Sequence, residues 1–498
     1  MTSTLNRLLD SHDIRASSVP RDMLISGLTE SSREVSPGDL FFARAGSSTD
    51  GHRFVGEALT RGAAAVVVEE ADVHRSLERS VLVGSTSRAL GVAAARWHDC
   101  PSREMSVVGV TGTDGKTTVT YLLEKIWNAA SKASGLIGTT GARWGVQRYP
   151  ISLTTPPALE LQGLLSRMKR DRVDHVALEV SSIGLDQERV AGVAFDAAVF
   201  TNLSPEHLDV HGDMETYFRA KAKLFRDFEV PIAVVNVDDP WGRRLVYEGS
   251  TSTRWLTYSA KARAATIRVR HLQVEPSRMR ATIDTPLGRI VLETSLIGRY
   301  NLANCLAALT VAYQESIDLD LVLQAIRDVR VPGRLEPVDL GSTAPTVFVD
   351  FAHTPASLAE VIAVLRRQTD ESRGRLITVF GCGGDRDPSK RAAAGRIVSA
   401  GCDVTIATSD NPRSEDPEKI LDDIESGIDA RATEFHRAAD RRLAIEQAIR
   451  LSTPDDIVLV VGKGHETTQQ IGSRFLPFDD REVVLESWNA LQGVGLVP

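Results

Sequence analysis

The sequence is poor in cysteine, with four in 498 residues. None of them lies in a CxxC pair or at another spacing typical of a metal site. A large cytosolic chain normally keeps its thiols reduced. We therefore interpret the four residues as buried or incidental; they are Cys100, Cys305, Cys382 and Cys402.

Long apolar runs and clusters of basic residues are also lacking. No apolar run approaches the roughly 18 residues that a membrane span needs, and residues 1–17 contain no apolar core of signal-peptide length. We expect a cytoplasmic protein without membrane insertion. The net charge of −8 and the absence of a Lys or Arg block argue against nucleic-acid binding and favour small-molecule partners. We also expect a monomer.

The length predicts about three domains, at roughly 100 to 200 residues each. Apolar strand patterns alternate with helical patterns along the chain, which favours an α/β fold. We set the domains at 1–102, 103–334 and 335–498. In the first, a small α/β unit, strands are predicted at 39–43, 63–68 and 80–84 and a helix at 87–98.

The central region has fully apolar strand patterns separated by helical patterns. This is typical of a parallel sheet covered on both faces, with ligands at the carboxyl ends of its strands. At 265–296 the pattern switches to period two, which predicts a short antiparallel meander. The predicted strands are 134–140, 175–180, 196–202 and 232–237, and the helices are 159–169 and 214–225.

The C-terminal third repeats the alternation after a predicted linker at 331–334. It predicts a second doubly wound, Rossmann-like domain. The predicted strands are 346–351, 375–380, 404–408 and 457–461, and the helices are 356–367, 417–426 and 438–451.

A glycine-rich loop at 109–118 follows an apolar run and opens an apolar-periodic helix. At such a helix start, unpaired N–H groups favour an anion, and glycines let the backbone approach phosphate oxygens. Lys116 adds a positive charge and Thr117 can hold Mg²⁺. Val110 stands at the first glycine position of the strict motif, and a plain glycine turn is the alternative. We predict binding of a nucleoside triphosphate.

Two further side chains follow predicted strands of the same sheet. Glu179 ends one strand and His207 follows the next, so we expect both near the phosphate loop. Mg²⁺ prefers oxygen ligands and shares them with phosphates, which makes Glu179 a suitable ligand and His207 a less usual one. The alternative for His207 is an exposed loop or capping residue.

Lys221 lies in a predicted helix, on one stripe with Tyr217 and Phe225. This spacing predicts that Lys221 is partly buried and that Lys223 faces solvent. A buried lysine is readily neutralised or modified.

These motifs together resemble the Mur ligases of peptidoglycan synthesis, over almost the whole chain. Within that family the resemblance is to the members that add meso-diaminopimelate. The matching stretches are 32–33, 50–52, 112–118, 154–156, 179–182, 202–209, 220–221, 298–304, 380–387, 410–413 and 462–466.

The resemblance implies a three-domain enzyme with UDP-binding, ATP-binding and amino-acid-binding domains. It implies ATP-dependent amide formation on a UDP-linked muramyl dipeptide, through an acyl phosphate of the D-glutamate. The alternatives are a ligase that adds L-lysine or another amino acid, a ligase recruited to another pathway, a silent nucleotide-binding or scaffold protein, and an unrelated P-loop NTPase.

Site residues implied by the resemblance fall into four groups. The catalytic residues are Lys116, Glu179, His207 and Lys221. The Mg²⁺ ligands are Thr117, Glu179, His207 and Lys221, the last as N6-carboxylysine. The ATP contacts are Gly112, Thr113, Asp114, Gly115, Lys116, Thr117, Thr118, Asn301, Asn304, Arg334 and Asp350. The substrate contacts are Ser32 for UDP, then Thr154, Thr155, Ser181, Gln187 and Arg189 for the muramyl dipeptide, and Arg386, Asp410, Asn411, Pro412, Arg413, Gly462 and Glu466 for the amino acid.

The stretch 410–413 is implied to set amino-acid specificity. An arginine pairs bidentately with a carboxylate, so Arg413 would bind the distal carboxylate that meso-diaminopimelate has and lysine lacks. Without the family context the stretch reads as a turn. Four positions depart from the family pattern and bear on the substrate: Ser31, Asp114, Pro157 and Ile183.

Overall fold

The computed structural model describes residues 2–9, 13–46, 49–275 and 278–493. The chain groups into two compact units. The first unit comprises Met1–Leu203, His211–Arg268 and Ala303–Ala325, and the second comprises Ser204–Val210, Val269–Leu302 and Ile326–Pro498.

The N-terminal part of the first unit is a five-stranded sheet with helices. The strand order is β2-β7-β6-β5-β4, and only β2 runs antiparallel to its neighbour. Its apolar strands are buried, as the sequence predicts. The elements are β1 (Ser3–Thr4), α1 (Leu5–Leu8), β2 (Ile14–Ser17), β3 (Leu24–Ile25), β4 (Gly27–Thr29), β5 (Asp39–Phe42), α2 (Val55–Thr60), β6 (Ala65–Val68), α3 (Ala71–Arg75), β7 (Ser80–Val83) and α4 (Thr86–Trp97), with 3₁₀ turns at Ser32–Glu34, Gly51–Phe54 and Pro101–Glu104.

A larger sheet follows, with the order β11-β10-β9-β12-β8-β13-β14-β15-β16. Strands β9, β12, β8, β13, β14 and β15 pair in parallel, so their carboxyl ends lie at one edge. The elements are β8 (Ser106–Thr111), α5 (Lys116–Ala129), β9 (Ser134–Gly138), β10 (Gly141–Trp144), β11 (Gln147–Tyr149), α6 (Ala158–Arg170), β12 (His175–Glu179), α7 (Ser182–Asp186), β13 (Ala197–Phe200), α8 (Leu208–His211), α9 (Met214–Arg226), β14 (Ile232–Asn236), α10 (Pro240–Tyr247), β15 (Arg254–Ser259) and β16 (Ile267–Glu275).

The chain passes from the first unit to the second within β16. β17 (Arg278–Thr285) and β18 (Gly288–Thr294) then pair antiparallel around the predicted turn, with Thr285 opposite Gly288. The helices α11 (Arg299–Gln314) and α12 (Leu319–Arg327) follow. The predicted meander is confirmed.

The C-terminal part of the second unit is a six-stranded sheet of order β19-β20-β24-β21-β22-β23. All pairs are parallel except the edge pair β19–β20. The elements are β19 (Glu336–Val338), β20 (Thr346–Asp350), α13 (Pro355–Ser372), β21 (Leu376–Phe380), α14 (Ser389–Gly401), β22 (Val404–Thr408), α15 (Pro417–Glu425), β23 (Glu434–Ala438), α16 (Arg441–Leu451), β24 (Ile457–Val461), β25 (Thr468–Ile471), β26 (Arg474–Pro477) and α17 (Asp480–Leu491).

One predicted element is wrong at its start. The helix expected at 438–451 begins at Arg441, because Asp440 caps it by accepting hydrogen bonds from two backbone N–H groups. Ala438 instead ends strand β23, which the sequence analysis did not predict.

The predicted absence of long apolar helices holds for the part of the chain that the structure describes: none of its helices is long and apolar enough to cross a membrane.

Candidate functional site

The glycine loop lies in the first unit, between β8 and α5, as predicted. Gly112 has φ +146°, and a Cβ there would lie 1.8 Å from Thr201 Oγ1. Gly115 has φ +86°, and a Cβ there would lie 2.3 Å from Asn304 Oδ1. Both positions therefore require glycine, for space and for backbone conformation.

Residues on the neighbouring strand end hold the loop in place. Asn202 accepts from the Thr113 N–H at its carbonyl and from the Asp114 N–H at its side chain, at 2.9 Å each. Thr201 Oγ1 donates to the Asp114 carbonyl at 2.6 Å. The Asp114 side chain is exposed, whereas Thr117 and Thr118 at the helix start are buried.

Two lysines converge on one carbonyl oxygen of the loop. Lys116 Nζ donates to the Gly112 and Thr113 carbonyls at 2.9 and 2.8 Å. Lys221 Nζ donates to the same Gly112 carbonyl at 2.8 Å and lies 4.5 Å from the centroid of the Tyr217 ring. Lys221 is 1% exposed, so it is more deeply buried than the sequence predicts. Lys223 is partly exposed and pairs with Asp186.

Glu179 ends β12 opposite Val110 of β8, two residues before Gly112. It is fully buried, and both carboxylate oxygens accept from Thr139: the backbone N–H at 3.1 Å and the hydroxyl at 2.9 Å. A Cβ on Gly138 would lie 2.2 Å from Glu179 Oε1. The strand end thus brings the predicted carboxylate beside the glycine loop.

The predicted muramyl-dipeptide contacts form one network with Glu179. Thr155 Oγ1 donates to the Glu179 carbonyl at 2.9 Å and accepts from the Ser181 N–H. Arg189 donates to the Thr155 carbonyl and, through Nε and Nη2, to Gln187 Oε1. Thr154 joins through Thr139, with 3.1 Å between their hydroxyls. Burial lowers the pKa of Arg189, and the charge of Arg44 lowers it further.

Ser32 lies on the 3₁₀ turn Ser32–Glu34, where its hydroxyl donates to Glu57 at 2.8 Å. Nearby, Asp50, His52 and Glu70 present side-chain ligand atoms within 4.8 Å of one another. His52 Nε2 accepts from the Glu69 N–H, so Nδ1 carries the proton and donates to Asp50 at 2.7 Å. With both ring nitrogens engaged, these side chains do not suit a metal.

Apart from Asn304, six predicted nucleotide and metal residues lie outside the glycine loop and the helix start, and they are divided between the two units. Glu179 and Lys221 lie in the first, and Asn301, Arg334, Asp350 and His207 lie in the second. His207 has φ +54° and a half-exposed side chain, with Nε2 3.9 Å from Glu206. Asn301 is buried and donates to the Ile297 carbonyl at 2.9 Å.

Asp350 ends β20 and accepts from the Leu335 and Ala352 N–H groups at 2.6 and 2.7 Å. Burial raises its pKa, and the charge of Arg334 partly offsets this rise. The Arg334 guanidinium lies 4.7 Å from the Phe351 ring centroid. Asp350 and Arg334 are therefore neighbours.

The stretch 410–413 follows β22. Arg413 has φ +51° and donates to the Gly384 carbonyl at 2.6 Å. A Cβ on Gly383 would lie 2.9 Å from Arg413 Nη1 and 3.6 Å from Arg386 Cγ, so both arginines pack against this glycine. Burial lowers the pKa of Arg413, and the Arg386 charge lowers it further. Two adjacent guanidinium groups are suited to a carboxylate.

Asp410 and Gly462 meet beyond the carboxyl ends of β22 and β24, the two strands that flank β21. Gly462 has φ +112°, and a Cβ there would lie 2.5 Å from Asp410 Oδ2. Burial raises the pKa of Asp410. Pro412 is buried, and its carbonyl accepts from the Glu415 N–H in a tight turn.

Glu466 follows Gly462 on the same loop. Its Oε2 accepts from Asn411 Nδ2 and Lys463 Nζ, each at 2.9 Å. Burial favours a higher pKa for Glu466, but the Lys463 charge and these two hydrogen bonds outweigh it, so the pKa lies below its ordinary value.

Sequence reasoning missed Thr139 and Lys463, which hold Glu179 and Glu466. Thr139 follows the carboxyl end of β9, and Lys463 is the second residue after β24. The sequence feature that could have identified both residues is their position at or just after the end of a predicted strand. The four cysteines, all among the described residues, form no disulfide: Cys305 and Cys402 are buried, and Cys100 and Cys382 are partly buried. Burial raises the pKa of Cys382 to about 12, so it stays a thiol at neutral pH.

Three family profiles match the chain in sequence order. They are described as Mur ligase family, catalytic domain, at residues 24–98; Mur ligase middle domain, at 110–312; and Mur ligase, glutamate ligase domain, at 333–464. The chain is 43% identical over 471 residues to a protein of Gloeobacter violaceus named UDP-N-acetylmuramoyl-L-alanyl-D-glutamate--2,6-diaminopimelate ligase, covering 94% of each chain. The chain belongs to the Mur ligase family.

Solved structures agree with this membership. A structure of a UDP-N-acetylmuramoyl-L-alanyl-D-glutamate--2,6-diaminopimelate ligase superposes with a TM-score of 0.71 at 31% identity, over 99% of this chain and 100% of that one. A MurF ligase from Thermotoga maritima in complex with ADP shares the fold at 20% identity, with a TM-score of 0.63 over 94% and 98%. The family resemblance and the three-domain α/β prediction are confirmed, while the individual residue roles and the domain boundaries stay predictions.

Proposed function

We propose that this Mur ligase adds meso-diaminopimelate to the D-glutamate of UDP-N-acetylmuramoyl-L-alanyl-D-glutamate, with cleavage of ATP to ADP and phosphate. The observation that carries the proposal is the continuous network that joins the glycine loop's strand, through Glu179, to Thr155, Ser181 and Arg189. A phosphate site and a polar substrate site thus share one sheet edge. The relatives' names supply the substrate.

In the first step, a carboxylate oxygen of the D-glutamate side chain attacks the γ-phosphorus of ATP, and ADP leaves. Phosphoryl transfer depends mainly on positioning and charge neutralisation. The N–H groups of the glycine loop and the Lys116 ammonium bind the phosphates. Arg189, held by Gln187 and Thr155, orients the acidic substrate.

We propose that Mg²⁺ is held by Thr117, Glu179, His207 and a carbamate on Lys221. The hydroxyl and carboxylate oxygens suit Mg²⁺, and each Glu179 oxygen keeps a lone pair beyond its bond to Thr139. An ammonium at Lys221 does not suit a cation site, but a carbamate does. Bound there, Mg²⁺ supplies charge neutralisation for the transferring group.

Carbamylation of Lys221 joins neutral Nζ to the carbon of CO₂ and releases a proton. Burial disfavours the ammonium and so favours the reactive amine. The neighbouring Lys116 favours it further, because both side chains share the Gly112 carbonyl.

In the second step, the amine of the incoming amino acid attacks the acyl phosphate, and phosphate leaves as the amide forms. We propose that Arg413, with Arg386 beside it, binds the distal carboxylate of meso-diaminopimelate. Glu466 and the Gly462 carbonyl bind the distal ammonium, and Asp410, Asn411 and Pro412 shape the loop.

We further propose that residues 1–102 bind UDP through Ser32, that 103–334 bind ATP and that 335–498 bind the amino acid. Asn301, Asn304, Arg334 and Asp350 are proposed as further ATP contacts. Because ATP and UDP-linked precursors are cytoplasmic metabolites, we place the reaction in the cytoplasm, with the enzyme as a monomer.

The test is phosphate release from ATP with the UDP-muramyl dipeptide and one of four additions: meso-diaminopimelate, L-lysine, L-ornithine or no amine. We expect turnover with meso-diaminopimelate alone. Turnover with L-lysine would keep the ligase and refute the Arg413 assignment. No turnover with any amine would indicate a ligase recruited to another acid substrate.

A further inference from the structure

Lys463 is a fully buried lysine between two proposed substrate residues, Gly462 and Glu466. Its ammonium donates to Glu466 Oε2 at 2.9 Å, to the Thr468 carbonyl at 2.5 Å and to Asn411 Oδ1 at 3.4 Å. All three of its protons are therefore used within the protein. Lys463 has no proton left with which to bind a ligand.

Asn411 is similarly engaged. Its Oδ1 accepts from the Gln470 N–H at 2.8 Å as well as from Lys463, and its Nδ2 donates to Glu466. One amide proton remains for a ligand. The side chain therefore acts mainly as a bridge between the 410–413 loop and the loop that carries Glu466.

Glu466, in contrast to Lys463, keeps hydrogen-bonding capacity for a ligand. Only Oε2 takes part in these bonds, and no described residue bonds to Oε1. A third of the side chain is exposed. The lysine thus holds one carboxylate oxygen while the other stays open to a cation.

We infer that Lys463 is a positioning residue for the amino-acid substrate. Its buried charge keeps Glu466 ionised and fixes its orientation, so that Oε1 meets the distal ammonium of meso-diaminopimelate. The inference rests on the proposed function, because it takes Glu466 as the ammonium's partner. The strength of the contact between Glu466 and the distal ammonium then depends on Lys463, which does not itself contact the substrate.

The first experiment compares Lys463→Met with the wild type and with Lys419→Met, the same change at an exposed lysine of α15. We expect Lys463→Met to raise the KM for meso-diaminopimelate at least 10-fold, with the KM for ATP within twofold. Lys419→Met should leave both unchanged. Equal changes in the two KM values, or no change in either, would overturn the inference.

A second comparison places Lys463→Met in the Glu466→Gln background, where no charge remains for the lysine to hold. Asn411 is still held there by Gln470. We expect the double variant to match Glu466→Gln within twofold in its KM for meso-diaminopimelate. A further 10-fold rise would mean that Lys463 acts on the general structure and would overturn the inference.

The second comparison also decides the matter if Lys463→Met alone does not fold, because the double variant removes both charges of the pair. The wild-type assay separates the two levels of proposal. If the wild type does not turn over meso-diaminopimelate, the proposed function fails. If the wild type turns it over and Lys463→Met does so with an unchanged KM, only the present inference fails.

Discussion

Two clusters of proposed site residues, one in each unit, handle charge in opposite ways. In the first unit, the glycine-loop cluster of Gly112, Lys116, Glu179 and Lys221 places two lysines on one neutral carbonyl, and its carboxylate accepts hydrogen bonds from the neutral Thr139. In the second unit, the specificity cluster of Asp410, Asn411, Arg413, Lys463 and Glu466 pairs its buried lysine with a carboxylate.

The difference follows from the ligands. Phosphates bring several negative charges, which the Lys116 ammonium and the Mg²⁺ proposed at Glu179 and the Lys221 carbamate would neutralise. An amino acid with two ammonium and two carboxylate groups brings no net charge, so only the placement of each charge can distinguish it. We therefore infer that the first cluster binds phosphates by neutralising their charge, whereas the second distinguishes amino acids by the position of each charged group.

The largest expected effect tests the glycine-loop cluster. Lys221→Ala should lower turnover about 1000-fold or more, because it removes a charged group at the transferring phosphoryl. Short carboxylic acids added to the assay should restore part of the rate if a carbamate is the working group. Lys223→Ala, on the partly exposed side of the same helix, is the control. An unchanged rate in Lys221→Ala would remove this residue from the mechanism.

The next largest effect is on stability and concerns the buried ion pair that packs beside the specificity cluster. Arg441 and Asp480 form a fully buried pair, and Arg441 also donates to the Ser409 and Val461 carbonyls at the ends of β22 and β24. Arg441→Met should destabilise the protein by about 3 to 5 kcal/mol, because it leaves a buried carboxylate unpaired. The midpoint of urea unfolding measures this loss.

Two controls sharpen that result. Arg442→Met, which breaks an exposed pair with Glu486, should cost less than about 1 kcal/mol. The double variant Arg441→Met, Asp480→Leu should recover most of the stability, since it removes both charges. A double variant as unstable as the single one would mean that the bonds to the carbonyls matter more than the ion pair.

A smaller effect tests discrimination directly. Arg413→Ala should reduce kcat/KM for meso-diaminopimelate by a factor equivalent to about 2 to 5 kcal/mol, because a carboxylate is left unpaired. The KM for ATP should not change. Arg396→Ala, at an exposed position on α14, is the matched control. Equal effects on both substrates would make Arg413 a structural residue.

The smallest effect is on the pH dependence of stability. The folded pKa of Glu466 lies below its ordinary value, so its ionisation stabilises the fold above the unfolded pKa of about 4.3. This stabilisation is lost as the pH falls through the folded pKa. Glu466→Gln should therefore show a weaker decline of the urea midpoint than the wild type below about pH 5. Parallel declines would mean that Glu466 is not held as an anion.

The sequence predicted the glycine-loop cluster better than the specificity cluster, for a physical reason. Strand, glycine loop and helix are consecutive in the chain, so local patterns reveal them. The stripe of Tyr217, Lys221 and Phe225 likewise predicted burial of the lysine, and all three side chains are buried. The local pattern did not predict that Lys221 is almost completely buried, because that depends on tertiary packing.

The specificity cluster depends on contacts between distant segments. Lys463 meets Asn411 across 52 positions, and Arg441 meets Asp480 across 39. No spacing rule links such residues. The helix predicted from 438 shows the same limit on a smaller scale, since the edge strand β23 is recognisable only by its pairing with β22.

The hairpin of β25 and β26 has a consequence for the exchange of specificity between ligases. Arg413 forms an isolated bridge to Ile471: its N–H donates to the Gln470 carbonyl and its carbonyl accepts from the Gly472 N–H. Gln469 also donates to the Asp410 carbonyl. Residues 410–413 are therefore held in their conformation by hydrogen bonds to residues 469–472. A chimera that carries only this tetrapeptide should not transfer amine preference, whereas one that carries residues 410–413 together with 463–477 should.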